Sequence, residues 1–192
     1  MNVGSRIFTI FILLAIGFFA LSGYFHGSGD EASISEISGK VINNIEGERI
    51  LVDSSNSNFE FEGYAIGKSH VGTFEDFSGS LILNEGVIVG AEGIIFVKSV
   101  NTGIVSLDNH LQSGDFFDAE IYPAIEFVST NLENDIMTGQ IEFRGITKEI
   151  NFPVVTDGTS LSANFFLDVT PFNFKYVGIN KDVRLAFEFV AT

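Results

Sequence analysis

Three histidines and a scatter of carboxylates are the side chains from which chemistry could be assembled in this chain. Asp108 and His110 stand two apart in "SLDNHLQSGD", close to Asp115. That spacing would serve an acid–base pair or part of a metal site. The pattern stops there. His26 lies in a polar stretch near the amino terminus, and no H-E-x-x-H, G-x-S-x-G or phosphate-cradling loop occurs anywhere. His110 therefore reads first as a residue that caps a helix or ties a loop. His70, in "GKSHVG", reads as a turn residue, with a donor at a pocket mouth as its second reading. Asp76 in "EDFSG" reads as a turn former. Arg144 and Lys148 flank a hairpin and read as solvated charges. The expectation is no catalytic residue, no metal and no cofactor.

The elements that would position these groups are bounded by composition. A chain of 192 residues, 45% hydrophobic, has room for one domain and an appendage. Ten Lys+Arg against 25 Asp+Glu leave a formal charge of -15. Such a surface repels polyphosphates, which argues against nucleic acid as a partner, and it repels an anionic membrane unless something apolar holds it there. Without cysteine there is no disulfide, thiolate ligand, thiol nucleophile or lipid-modified cysteine anchor.

The amino terminus supplies the apolar element. After Arg6, "IFTIFILLAIGFFALSGYF" runs from Ile7 to Phe25 without a charge. It reads as a cleaved signal peptide or as an uncleaved helix close to the ~20 residues a bilayer needs. Ala20 and Ser22 are spaced for cleavage after Ser22, but the apolar run resumes at Tyr24 and Phe25, which favours the anchor. Either reading places the acidic bulk outside the cytoplasm, whether periplasmic, on the cell surface or secreted. Residues 1–25 are thus a leader, 26–38 ("HGSGDEASISEIS") a flexible acidic spacer, and 39–192 the folded domain. Its first strand is expected at "GKVIN" or "RILVD".

Within the domain apolar residues recur at every second position in short runs, the period of strands. "NFEFEGYAIG" aligns Phe59, Phe61 and Ala65; "SGSLILNEG" aligns Leu81 and Leu83; "GQIEFRG" aligns Ile141 and Phe143; "EINFPVV" aligns Ile150, Phe152 and Val154. Turn signals intervene, among them Asn-Glu-Gly at 84–86 and Asp-Gly at 157–158. This is the rhythm of an antiparallel barrel or sandwich. One interval departs from it: Leu107 and Leu111, with Ser106 as N-cap and Gly114 as stop, predict a single short helix. Sixteen of the 21 phenylalanines lie beyond the leader, and there is no Trp. Rings without a polar handle suit either a solid core or a wall touched by hydrocarbon, and composition alone favours the solid core.

Several separated motifs then coincide. "SVNTGIVSLDNHLQSGDFFDAEIYPAIEF" carries Asn101-Thr102-Gly103, Asp108, His110-Leu111, Asp115-Phe116-Phe117-Asp118 and Tyr122-Pro123. "MTGQIEFRGITKEINFPV" carries Gly139 and Gly145-Ile146-Thr147-Lys148. Together with "VDSSNSNFEF" and "GTFEDFSGSLILN" upstream, these resemble the YceI-like polyisoprenoid-binding family, in order, over about residues 49–190. Gln112 stands where a basic residue is usual, Glu149 follows Lys148 where Pro is common, and "GYAIGKSHVG" has an inserted look.

The resemblance implies an all-β fold: an antiparallel, eight-stranded, lipocalin-like barrel with one short helix, preceded here by the hydrophobic amino-terminal helix. It implies a lumen for a polyisoprenoid or quinone-type lipid, and it shifts the balance from a solid core to a hollow one. The lining expected on that basis is Phe59, Phe61, Phe74, Leu81, Leu83, Ile95, Val97, Phe116, Phe117, Phe127, Ile141, Phe143, Phe152, Phe165, Leu167, Leu185 and Phe187. Phe116 and Phe117 would close one barrel end as an apolar plug, with Asp115 and Asp118 left in water or capping amides, and Pro123 would open the next strand. Other partners admitted are the membrane, through an uncleaved leader, and a second copy of the chain. The competing class is a surface-displayed, non-catalytic β domain with a filled core that binds a partner or serves structure.

Overall fold

The computed structural model describes residues 30–35, 45–174 and 179–192. The leader, most of the spacer and "GKVIN" lie outside the described residues. The alternating runs form strands. In chain order they are β1 (Ser33–Ser35), β2 (Glu48–Leu51), β3 (Asn58–Ala65), β4 (Lys68–Phe74), β5 (Phe77–Asn84), β6 (Val87–Phe96) and β7 (Val100–Asn101). After helix α1 (Val105–Gln112) come β8 (Ala124–Glu133), β9 (Ile136–Phe143), β10 (Ile146–Pro153), β11 (Val155–Asp157), β12 (Ser160–Asp168) and β13 (Asp182–Val190). "RILVD" supplies β2. Ser33–Ser35, in the segment whose composition suggests a spacer, pairs with β10 and extends a sheet edge.

The strands do not close into the expected eight-stranded barrel. They make two antiparallel sheets, one ordered β1-β10-β9-β8-β6-β5-β2 and the other β11-β12-β13-β3-β4-β7. Where a barrel would continue its ladder, the chain turns a corner instead. Pro153 ends β10 and has no N–H to extend the pairing; the next amide, Val154, donates to Asp135 O at 2.9 Å and the chain joins the second sheet as β11. At another corner β2 stops at Leu51, and Val52 makes only a single bridge to Ala191. A third corner is the 3-10 turn Val97–Ser99 between β6 and β7.

The sheets face one another across a common apolar interior. In the second sheet the register sets Phe59 beside Phe187, Phe61 beside Leu185, and Phe165 beside Leu185. In the first it sets Phe77 beside Ile95, Leu81 beside Ala91, and Phe127 beside Ile141. Because side chains alternate, these positions share the inward faces. Leu81, Met137 and Leu161 are almost completely buried there.

The helix forms where the alternation lapses, with different caps from those expected. Ser106 lies inside α1; the N-cap is Ile104, and the preceding turn is held by Asp108 from the helix's own first turn. Asp108 accepts from the Thr102 N–H at 2.8 Å and from the Thr102 hydroxyl at 2.6 Å. The C-cap is Ser113 rather than Gly114. The following residues satisfy the helix's last carbonyls: Phe117 N–H donates to Leu111 O at 2.9 Å and Ala119 N–H to Gln112 O at 3.0 Å. The helix end and the Asp-Phe-Phe-Asp segment are therefore one folded unit, set under one end of the paired sheets.

Candidate functional site

Between the two inward faces lies a cavity of about 250 Å³ with an almost wholly apolar lining. Every residue of the expected lining borders it except Leu83 and Val97, which are buried outside it. Val97 belongs to the corner turn, and Leu83 follows the bulge at Ile82/Leu83 that shifts β5's register against β6, so alternation extrapolated past either point fails.

The rings meet without filling the interior. Phe152 stacks on Phe165 at 4.5 Å between centroids, and Phe187 on Phe189 at 4.7 Å. Phe117 touches Phe61, Phe74, Phe143 and Phe174, bridging the second sheet to the end of β9. Phe116 packs on Phe174 at 5.3 Å. Both members of the Phe-Phe pair are buried while Asp115 is exposed, so the pair faces inward beneath the sheets. Arg144, expected in solvent, holds this plug: its guanidinium donates to the carbonyl of Phe116, and at 3.4 Å to that of Gly114. Lys148, also expected in solvent, is half-buried and pairs in register with Ile141 on the inward side of β10.

Small residues make room for the void. Gly79 and Gly93 face one another across β5 and β6, and a Cβ on Gly79 would come within 2.5 Å of Glu92 O, so only glycine allows these strands to approach and coil there. Gly63 on β3 borders the cavity, and a Cβ built on it would meet nothing within 4 Å. Its register partner is His70, which also borders the cavity. His70 thus lies inside β4 against the cavity, where the sequence reads it first as a turn residue and second as a donor at a pocket mouth. The remaining histidine–carboxylate group does not converge. His110 Nε2 lies 3.9 Å from Asp115 Oδ2, its ring stands edge-on to Phe116, and Asp108 is turned to Thr102. Among the described residues no three His, Asp or Glu side chains are grouped to hold a metal ion.

Other lining residues are not singled out by the sequence. Met137 shares the inward parity of Ile141 and Phe143 along β9, and the bulge between Ser129 and Asn131 lies on the neighbouring strand β8. Phe174 lies beyond the 3-10 turn Thr170–Phe172, in a stretch with no strand period to reveal its direction. Ile150, Val183 and Phe189 do lie in the alternating runs, and their inward side is readable from them.

A group of ion pairs lies on the outer face of the second sheet. Arg184 Nη1 lies 3.6 Å from Glu60 and 3.8 Å from Glu62 across the outer side of β3 and β13. Tyr64 donates to Glu62 at 2.9 Å; burial first, and then this bond, push its phenol up to about 12. The cavity wall itself is nearly all hydrocarbon.

This architecture is shared with known proteins. The family model described as a YceI-like domain matches residues 51–191. A UPF0312 protein of Staphylococcus aureus (strain USA300) is 32% identical over 111 residues, which is 56% of this chain and 65% of that protein, so the chain spans just under two thirds of these relatives' length. Among solved structures, Burkholderia cenocepacia BcnA superposes with a TM-score of 0.66 at 22% identity, covering 73% of this chain and 99% of its own. A polyisoprenoid binding domain from Saccharophagus degradans gives 0.59 at 14% identity, covering 76% and 100%. The Campylobacter jejuni YceI protein gives 0.55 at 21% identity, covering 88% and 95%. The structural likenesses speak to the fold; the family model, matched across both sheets and the helix, assigns the chain itself, which belongs to the YceI-like family.

Proposed function

We propose that this protein binds a long isoprenoid amphiphile, a polyprenyl lipid or a quinone, by enclosing its tail between the two sheets, and that it does so outside the cytoplasm without catalysing a reaction. The observation that carries this reading is the cavity, a void of about 250 Å³ walled by phenylalanine and aliphatic side chains. Water gains little in such a space, and a hydrocarbon tail gains about 25 cal/mol for each Å² it removes from water. A branched, apolar chain needs no polar contact to remain there. The solved relative named as a polyisoprenoid binding domain points to the same ligand class. The uncharged run Ile7–Phe25, with a single basic residue, Arg6, close before it, supports an extracytoplasmic place for the acidic domain. Titration of the protein with a polyprenyl alcohol, followed by solution NMR, tests the reading. Intermolecular contacts should appear at the rings of Phe61, Phe152 and Phe187; contacts confined to surface residues, or none, would remove it.

A filled-core display domain is the competing reading, and the void speaks against it. Rings that met across the centre with nothing left between them would have favoured it.

A further inference from the structure

Among the described residues, one polar side chain of the cavity wall stands on an inward position of its strand. Alternation along β4 places His70 on the same side as Gly72 and Phe74, and the register sets it beside Gly63, which shares the inward side of β3 with Phe59 and Phe61. The other polar residues that border the cavity, Tyr64, Ser78, Ser80 and Glu92, occupy outward positions of β3, β5 and β6. Two of these are already engaged: Tyr64 donates to Glu62, and Glu92 accepts from Arg49 at 3.0 Å. Among the described residues no hydrogen bond or ion pair takes the His70 ring.

Space is kept beside that residue. A Cβ on Gly63 would meet nothing within 4 Å, whereas on Gly72, the next inward position of β4, it would come within 2.5 Å of the Phe61 ring. Phe61 therefore covers Gly72 and leaves the ground at Gly63 open. His70 is half-buried while Gly72 and Phe74 are buried, so the row grows drier from the imidazole inward. Four residues along β3, about 13 Å from Gly63, Phe59 stacks on Phe187 and lies against Phe74. The charge around this row is equally one-sided, for no Lys or Arg borders the cavity. Arg144 is committed to the carbonyls of Phe116 and Gly114, and Lys68, two residues before His70, is exposed and outside the lining. In a chain of formal charge -15, a phosphate entering this wall would leave water with nothing to balance it. A hydroxyl or a carbonyl escapes most of that cost once it is hydrogen-bonded.

Resting on the ligand reading above, we propose that His70 receives the polar end of the bound lipid and that this end is uncharged, an alcohol or a quinone rather than a phosphate. One imidazole nitrogen can donate to a hydroxyl or carbonyl oxygen, and the other can accept from a hydroxyl. The contact gives the ligand a direction, with its head beside His70 and Gly63 and its tail toward Phe59 and Phe187. It also makes the cavity prefer an amphiphile to a plain hydrocarbon of the same length.

The test titrates the full chain with three probes of one chain length: geranylgeraniol, the hydrocarbon that lacks its hydroxyl, and geranylgeranyl monophosphate, each competing with a fluorescent farnesyl probe. The parent should bind the alcohol about two- to tenfold more tightly than the hydrocarbon, the range of one hydrogen bond. It should bind the monophosphate less tightly than the alcohol. His70→Phe should bind alcohol and hydrocarbon alike, with a hydrocarbon affinity close to the parent's, which also reports that the variant is folded. His70→Gln should keep part of the preference. In isotopically labelled parent protein, NMR should show the His70 ring nitrogens shifting with the alcohol and not with the hydrocarbon. An alcohol preference that survives His70→Phe, equal affinity of the parent for alcohol and hydrocarbon, ring nitrogens indifferent to the alcohol, or tighter binding of the monophosphate overturns the proposal and leaves the cavity reading standing. Binding of none of the three by the parent defeats the cavity reading, and the proposal with it.

Discussion

Replacing Gly63 with leucine should make the protein more stable and a poorer binder, and these opposite signs separate a functional cavity from a packing defect. Gly63 borders the void, and a Cβ there would meet nothing within 4 Å. A leucine side chain would project about four carbons into space otherwise open to ligand. Displacing the same number of ligand carbons, at ~0.8 kcal/mol each, costs about 3 kcal/mol of binding. That corresponds to about two orders of magnitude in Kd. The folded state gains meanwhile, because glycine inside a strand costs about 0.5–1 kcal/mol and a buried leucine contributes about 1.5–3 kcal/mol. A thermal melt of the ligand-free variant should rise by several degrees, at about 2–4 °C per kcal/mol for a chain of this size. Fluorescence titration with a polyprenyl probe should show the weaker affinity. A variant that binds as well as the parent, or melts lower, would refute the reasoning that this face of β3 looks into usable space.

Three further outcomes rest on particular side chains. Gly139→Ala should destabilise by about 1–3 kcal/mol in urea unfolding, because the new Cβ would collide with the Phe127 ring and lie 2.6 Å from Val128 O, and backbone cannot easily yield. Arg144→Ala removes the donors to the Phe116 and Gly114 carbonyls, so hydrogen exchange should accelerate across residues 113–119, with a stability loss of about 2 kcal/mol; unchanged exchange there would mean that the plug stands without it. The Asp53 carboxylate accepts from the Ser55 hydroxyl, the Asn56 amide and the Ser55 N–H, which hold its pKa below the ordinary 3.8. A depressed folded pKa stabilises the native state above the unfolded value and loses that contribution as pH falls through the folded one. Asp53→Asn should therefore flatten the fall of stability with pH below about 4, measured by denaturant midpoints.

Much of this molecule is legible in the sequence, and the failures have local physical causes. Period-two runs identify the strands and the inward sides of Phe59, Phe61, Phe165 and Phe187, because alternation is a property of the strand alone. Closure of the sheet is not local. The corners at Val52, Pro153 and Val97 depend on which distant strand each segment meets, so sequence reasoning expects an eight-stranded barrel where two sheets stand. Pro153 is visible as a residue unable to continue a ladder, yet its consequence, a crossing into the other sheet, needs Asp135 to accept from Val154. The helix is where the pattern puts it, but its cap is not. Ser106 is a good capping type, whereas the turn is secured by Asp108 reaching back to Thr102, a contact that only the Asn101-Thr102-Gly103 geometry creates. Arg144 looks like a surface charge because its acceptors, backbone carbonyls at 114 and 116, carry no sequence signature. His70 looks like a turn residue in the sequence, and it is the register that sets it opposite Gly63 on the inward face.

The central claim is that the space between the sheets holds an isoprenoid tail. Purifying the full chain from its native membrane fraction, extracting it with organic solvent and identifying the extract by mass spectrometry tests this most directly. The account predicts an isoprenoid lipid in near-stoichiometric amount from the parent protein and a clear depletion from Gly63→Leu. An extract containing only bulk phospholipid, the same for both proteins, would contradict it.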